Sequence, residues 1–287
     1  MIKKFSYILY CFIKFFDNLF ILIINKSFLV WFKYFLHNDS YKSLEILNQK
    51  INFFIPNQVI EWRVDTFFSK EPETLEWIDN FNNEKKFILW DIGANVGLYS
   101  IYAALKHSNC EVISFEPSTS NLRTLSRNIS INKLDNRIKI FSNPLSNKTD
   151  KFSTMKEGGF TEGGALNSFG VDYDFEGKKF KSPMSYQLIG KSINSILENK
   201  ILAVPNHIKI DVDGIEHLIL EGANNFLTDD NLLSLSIEIN ENFTEQFQEV
   251  LKIMKESNFK ILHKKHGEFL NEKNSRHSNS YNYIFVR

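Results

Sequence analysis

Three groups of side chains in this sequence have the types and spacing to do chemistry. The first is Asp91-Ile-Gly93-Ala-Asn95-Val-Gly97, which follows a short apolar run and leads into a helical pattern over 98–106. A strand–loop–helix of this kind presents N–H groups at a helix start, where a carboxylate or phosphate is favoured. Gly93 tolerates the positive φ of a tight turn. Asn95 stands where glycine is common and is among the few other residues that enter the left-handed region cheaply. Gly97 lets the helix pack close to the strand. A dinucleotide loop would read G-x-G-x-x-G, and this one does not. Asp91 at the strand tip would repel a pyrophosphate but could take up an ammonium group.

The second group lies at the ends of the next two strands. Phe115-Glu116-Pro117 puts an acid where it can accept hydrogen bonds from both hydroxyls of a ribose, the place an acid takes about 20 residues on in dinucleotide folds. Asn143-Pro144-Leu145-Ser146 follows the third strand, and Asn143 and Leu145 stand either beside an adenine ring or in a plain turn. S-adenosylmethionine carries an amino group, a carboxylate, a sulfonium and a nucleoside, with no phosphate. The loop and Glu116 therefore predict that cofactor over a nicotinamide dinucleotide.

The third group is Lys209-Ile-Asp211-Val-Asp213-Gly-Ile-Glu216-His217, with Leu235-Ser-Ile-Glu238-Ile-Asn240 after it. Asp211 ends an apolar strand, Asp213 sits in the turn closed by Gly214, Glu216 falls in a first helical turn, and Glu238 ends the next strand. Carboxylates this dense are costly beside apolar strands unless paired or used. A base here could draw the proton from an acceptor hydroxyl, with or without a magnesium ion on Asp211 and Glu238. His207, inside an apolar strand, reads first as a core residue. His217 is a weak second base, and His263, His266 and His277 have no supporting context.

The elements that position these groups alternate. The stretch after Ser69-Lys70-Glu71-Pro72 starts a helix with a stripe of Leu75, Ile78 and Phe81, and a polar break covers 82–85. Strands are predicted at 87–90, 111–115, 137–141, 207–212, 232–239, 259–263 and 281–286, and helices at 98–106, 118–132, 191–199, 215–227 and 243–258. Repeated strand–helix units imply an α/β fold, a mostly parallel, doubly wound sheet with ligands beyond the strands' carboxyl ends. Residues 143–190 break the rhythm, as a functional insertion over the binding edge or as a solvated hairpin excursion.

With 34 basic and 34 acidic side chains, no field over the whole chain favours a nucleic acid. Two cysteines far apart, Cys11 and Cys110, exclude a disulfide framework and point to a reducing, cytoplasmic setting. The opening 36 residues are apolar and aromatic, with Lys14, Asp17, Lys26 and Lys33 interrupting each candidate spanning window, and no signal-peptide cleavage site follows. They are expected as an amphipathic helix, buried on the body or a homo-oligomeric partner, or lying peripherally on the inner face of a membrane. The domain organisation expected is an N-terminal helical extension, 1–60, and a catalytic domain, 61–287.

The strings FILWDIGANVGLYS, ISFEPS, HIKIDVDGIEHLILEGA and LSIEIN, in that order, resemble the FkbM-type methyltransferase family over about residues 61–287. The resemblance implies a Rossmann-like class I methyltransferase fold, S-adenosylmethionine as cofactor, and O-methylation of a small-molecule or glycan hydroxyl, such as a sugar or its nucleotide-activated precursor in polysaccharide biosynthesis. It implies Asp91, Gly93, Asn95, Gly97 and Glu116 at the cofactor, and Asp211, Asp213, Glu216 and Glu238 at the reacting edge. The competing readings are a metal-dependent glycosyltransferase using Asp211-x-Asp213 and a non-enzymatic membrane-associated protein.

Overall fold

Residues 1–36, expected as one amphipathic helix, form parts of two helices in the computed structural model, which describes residues 1–82, 84–267 and 276–287. The chain divides into two compact units, Met1–Lys42 and Ser43–Arg287. In the first, α1 (Ile2–Ile24) stops where Asn25 turns left-handed at φ 56, and α2 (Leu29–Asp39) follows. Asp17 is the buried residue of α1. Its Oδ1 accepts from the N–H groups of Phe28 (2.7 Å) and Leu29 (3.1 Å), and its Oδ2 from Ser27 Oγ (2.8 Å). That caps the open donors at the start of α2.

Phe5, Ile8, Phe12, Phe15, Leu22 and Ile23 are all exposed in the single chain. One expectation is corrected here: charges do not break every spanning window, because by length and composition α1 can cross a membrane, at about 1.5 Å of rise per residue. Asp17 weighs less than expected, since protein donors satisfy it.

The second unit begins within a hairpin of β1 (Tyr41–Ile46) and β2 (Gln49–Phe54), turned by Leu47 and Asn48, both at positive φ. The expected boundary at 60/61 falls inside α3 (Gln58–Asp65). The hairpin joins the larger unit because Ile46, Ile51 and Phe53 are in its core. Further on come α4 (Phe67–Lys70) and α5 (Pro72–Asp79), the latter opened by its proline as expected. Asn83, in the polar break, lies outside the described residues.

The strand–helix series is β3 (Phe87–Ile92), α6 (Leu98–Lys106), β4 (Cys110–Phe115), α7 (Thr119–Ile131) and β5 (Ile138–Phe141). After an excursion containing β6 (Lys151–Glu157), β7 (Ser168–Phe169) and β8 (Met184–Gly190), it resumes with α8 (Ile193–Glu198), β9 (His207–Ile210), α9 (Glu216–Glu221), β10 (Ser234–Asn240), α10 (Thr244–Glu256), β11 (Lys260–Lys265) and β12 (Ser280–Val286). Helix α9 is shorter than the 215–227 expected, and its C-cap is Gly222.

The main sheet runs β11-β12-β10-β9-β3-β4-β5. Strands β10, β9, β3, β4 and β5 pair in parallel, and β12 is antiparallel to both β10 and β11. Side chains alternate between two cores: Leu89 and Val112 join one with α5, α6 and α7, while Trp90 and Ile113 join the other with α8, α9 and α10. This is the mostly parallel, doubly wound, Rossmann-like α/β fold expected. The chain runs outward from β3 through β4 to β5, then returns to lay β9 on the other side of β3. The carboxyl ends beside β3 are thus the switch point where such sheets bind ligands. The β6–β8 excursion forms its own antiparallel sheet, order β7-β6-β8, rather than a bare solvated hairpin.

Candidate active site

At that switch point lies a cavity of about 410 Å³ lined by Gly93, Asn95, Glu116, Asp211, Asp213 and Glu238, among others. Gly93 has φ +87, and a Cβ there would sit 1.9 Å from the carbonyl oxygen of Asp211, so only glycine fits between β3 and β9. Asn95 is left-handed at φ 52, as its type suggested. Its Nδ2 donates to Gly164 O (2.9 Å), and its buried Oδ1 has no partner within the protein. An unfilled acceptor on a cavity wall suits a donor on a ligand.

The loop differs from expectation in its backbone. The N–H groups of Gly93 and Ala94 go to Phe115 O (both 3.0 Å), that of Asn95 to Glu116 Oε2 (2.8 Å) and that of Gly97 to Ala94 O (2.8 Å). They are spent inside the protein. Arg63 and Lys70, which sequence reasoning did not single out, bring two cationic side chains to the cavity wall. Glu116 Oε1 also accepts from Ser118 N (2.8 Å). Burial pushes the Glu116 carboxyl up to about 8, against the pull of these two N–H groups.

Asp91 and Gly97 are placed differently from the expectation. Asp91 is 1% exposed and is not among the cavity-lining residues; its Oδ2 accepts from Ser100 Oγ. Burial raises its pKa. Gly97, at φ +88, is the N-cap of α6, and a Cβ there would meet Leu125 of α7 at 2.6 Å. Its role is packing. Asn143 and Leu145 do line the cavity, with Asn143 Nδ2 donating to Ile189 O (3.0 Å).

Below the reacting edge sits a network only partly visible in the sequence. Lys209, 2% exposed, holds Asp211 Oδ2 at 2.5 Å and stands 5.0 Å over the Tyr99 ring. Burial alone would raise the Asp211 carboxyl; the ammonium of Lys209, with Lys70 behind it, outweighs burial and holds it far below the usual range. Glu238 is driven the other way, by burial and then by the charge of Asp211, and shares a hydrogen bond with it. The two carboxyls are thus pushed apart, Asp211 towards its charged form and Glu238 towards its neutral one. Lys70 and Glu71 are paired beside them.

Asp213 has a separate environment. Its Oδ2 accepts from Asn167 N (2.8 Å), and burial, partly offset by this bond, pushes it up to about 6. Glu216 leaves the reacting edge: it is 2% exposed, and its Oε1 accepts from Val212 N (3.2 Å) while its Oε2 meets Gln246 Nε2. It braces the turn that carries Asp213. His207 is a core residue, stacked on Phe81 at 3.8 Å and pushed down to about 3 by burial. His277, which had no sequence context, lines the cavity and stacks on Phe175 at 4.6 Å.

A strap from the excursion, residues 162–168, closes one side. Asn121 accepts from Gly163 N (2.9 Å) and donates to Gly164 O (3.2 Å), an amide standing in for a strand partner. Arg63 Nε donates to Gly163 O (2.6 Å) and Asn57 Nδ2 to Glu162 O (3.0 Å).

The magnesium expectation finds no support. Among the described residues no three His, Cys, Asp or Glu side chains are grouped to hold a metal ion, and Asp211 is already neutralised by a lysine. The glycosyltransferase reading weakens with it, since Asp211 and Asp213 each answer to protein donors.

A doubly wound, Rossmann-like sheet with acids gathered at neighbouring strand tips is a framework on which class I methyltransferases are built. The family profile described as "Methyltransferase FkbM domain" matches residues 91–261, more than half of the sequence, and the chain belongs to that family of S-adenosylmethionine-dependent methyltransferases. No curated protein matches. Similar solved structures include the precorrin-6y C5,15-methyltransferase of Geobacter metallireducens (11% identical, covering 88% of this chain and 95% of that one, TM-score 0.43). Others are a putative rRNA methylase of Clostridium thermocellum (10%, 75% and 93%, TM-score 0.44) and M. capricolum TrmK solved with S-adenosyl-homocysteine (12%, 74% and 66%, TM-score 0.42). At these values the likenesses carry no argument of their own.

Proposed function

We propose that the chain transfers the methyl group to a hydroxyl of a sugar, in a glycan or its nucleotide-activated precursor, with Asp213 as the base. The observation that carries this reading is that Asp211, Asp213 and Glu238 line the same cavity as Gly93 and Glu116. Bound S-adenosylmethionine supplies an electrophilic methyl on its sulfonium. Glu116 and Asn95 Oδ1 would hold its ribose and amino ends, Arg63 and Lys70 its carboxylate, and Asn143 and Leu145 its adenine.

A sugar hydroxyl attacks poorly until its proton is drawn away. Lys209 holds Asp211 in its charged form and weakens it as a base, while burial favours the neutral form of Glu238. Asp213, pushed to about 6, is ionised at neutral pH and basic enough to accept one. Asp211 and Glu238 offer carboxyl groups to neighbouring hydroxyls. Trp62, 37% exposed on the cavity wall, brings there an aromatic side chain of the kind that packs against the C–H face of a sugar. The strap excludes water while the acceptor is held in line. We further place the protein in the cytoplasm, where Cys11 and Cys110 remain thiols.

The test is a methyl-transfer assay against nucleotide-sugars and lipid-linked glycans, with product mass and linkage determined. Asp213→Asn is expected to lower kcat by about 10²–10⁴ while cofactor affinity stays within a few-fold. In the wild type the rate should fall as pH drops through about 6. Methylation confined to amines, or a variant with an unchanged rate, overturns the assignment.

A further inference from the structure

We propose that the two helices of residues 2–39 dock in the interface of a lipid bilayer bearing anionic headgroups. Both helices present large apolar side chains to solvent, including Phe12, Phe15 and Leu22 on α1 and Trp31, Phe32 and Phe35 on α2. Soluble monomers rarely leave so much contiguous apolar surface uncovered. Aromatic side chains such as these favour the boundary between headgroups and acyl chains.

The charges point to one kind of partner. Residues 1–39 contain Lys3, Lys4, Lys14, Lys26 and Lys33 against two acids, Asp17 and Asp39. Asp17 is 4% exposed, with its carboxylate on Phe28 N, Leu29 N and Ser27 Oγ. With Asp39 the one exposed acid, the five lysines leave the segment with a net positive field that complements anionic lipid. The same charges on two copies would oppose self-association.

Lying in the interface fits better than crossing. A spanning α1 would carry Lys14 to the bilayer centre, where a charge is expensive. At 11 residues α2 is too short to cross. The Asp17 cap fastens its start to α1 about two turns before that helix ends, so the two enter as one element. In the interface, long lysine side chains can lift their ammonium groups to the headgroups while the rings stay below.

The experiment is flotation of the full-length protein with vesicles of phosphatidylcholine alone, or mixed with phosphatidylglycerol, at low and high salt. Most of the protein should float with the anionic vesicles, with partition at least tenfold weaker for neutral vesicles or in high salt. Phe12→Asp/Phe15→Asp should return flotation to background while S-adenosylhomocysteine binding, which reports the folded catalytic unit, stays within a few-fold. Lys3→Gln/Lys4→Gln/Lys14→Gln, which leaves the apolar surface intact, should lose only the preference for anionic vesicles. No flotation in any mixture, equal flotation with neutral and anionic vesicles, undiminished flotation of the Phe variant, or a stable oligomer by light scattering that ignores vesicles would each overturn the proposal.

Discussion

Lys209 is the side chain on which the reacting edge turns. An ammonium at 2% exposure is costly, and it is held by Asp211 with Glu71 and Asp91 as further neighbours. Burial works to lower its pKa, and these carboxylates outweigh that and raise it. Removing the nearest of them should leave a buried charge undercompensated. Asp211→Asn is therefore expected to cost about 3 kcal/mol or more in denaturant unfolding and to abolish turnover. Adding Lys209→Met to that variant should recover part of the stability and none of the turnover. A single variant that melts like the wild type would show that Asp211 is not the partner that makes Lys209 tolerable. In the sequence, Asp211 and Asp213 look like equals, two residues apart. They are set apart by Lys209 on one side and Asn167 N–H on the other, and the second of these comes from a segment that the strand pattern does not reach.

The cofactor loop and the strap are opposite cases in how an element is specified. The loop is written locally: Gly93 and Asn95 each need a conformation that few residues allow, so their types announce the turn. The strap is written at a distance. Its course depends on Asn57, Arg63, Asn95 and Asn121, none of which is near it in the chain, and its own Gly163-Gly164 carries no local signal for that course. Asn121 is 2% exposed and spends its amide on strap backbone. Asn121→Ala should therefore speed amide exchange across 162–168 and raise the cofactor dissociation rate by about tenfold, for a global cost near 1 kcal/mol. Unchanged exchange in that segment would mean the strap is held by other contacts. The same contrast explains the edge of the unit: β1 and β2 bear a mixed pattern, and β2 is held by Asn128 of α7, its C-cap Asn132 and Arg127 over the Phe54 ring.

Across the whole molecule the sequence conveyed the sheet because its central strands β3, β4, β9 and β10 are apolar on both faces and the helices repeat at their own period. Helix α6 falls on the expected 98–106, and α7 and α10 come within two residues at each end. The site was legible where chemistry lies at strand tips and illegible where it depends on folding together, as with Lys70, Glu71 and His277. Burial of so many acids also shapes stability. Glu116 ionises near 4.5 when unfolded but is pushed to about 8 when folded, so the native state holds more protons between those values. Its stabilising contribution is complete below about 4.5 and lost as pH rises through about 8. Glu216 and Glu238 are shifted the same way. His207, pushed to about 3, acts in the opposite sense, but its effect is complete above about 6.5. The cofactor-free protein should thus lose stability between pH 7 and 8.5, by up to about 1.4 kcal/mol per pH unit for each extra proton held. Denaturant midpoints that are flat or rise over that interval would contradict the burial of these groups.

The central claim is that the edge beside β3 receives S-adenosylmethionine through Gly93, Asn95 and Glu116. Titration calorimetry of the folded full-length chain with S-adenosylhomocysteine tests it most directly. The account predicts one site per chain, with affinity reduced at least tenfold by Glu116→Ala while Asp213→Asn binds within a few-fold of the wild type. No binding, or binding that Glu116→Ala leaves untouched, would contradict it.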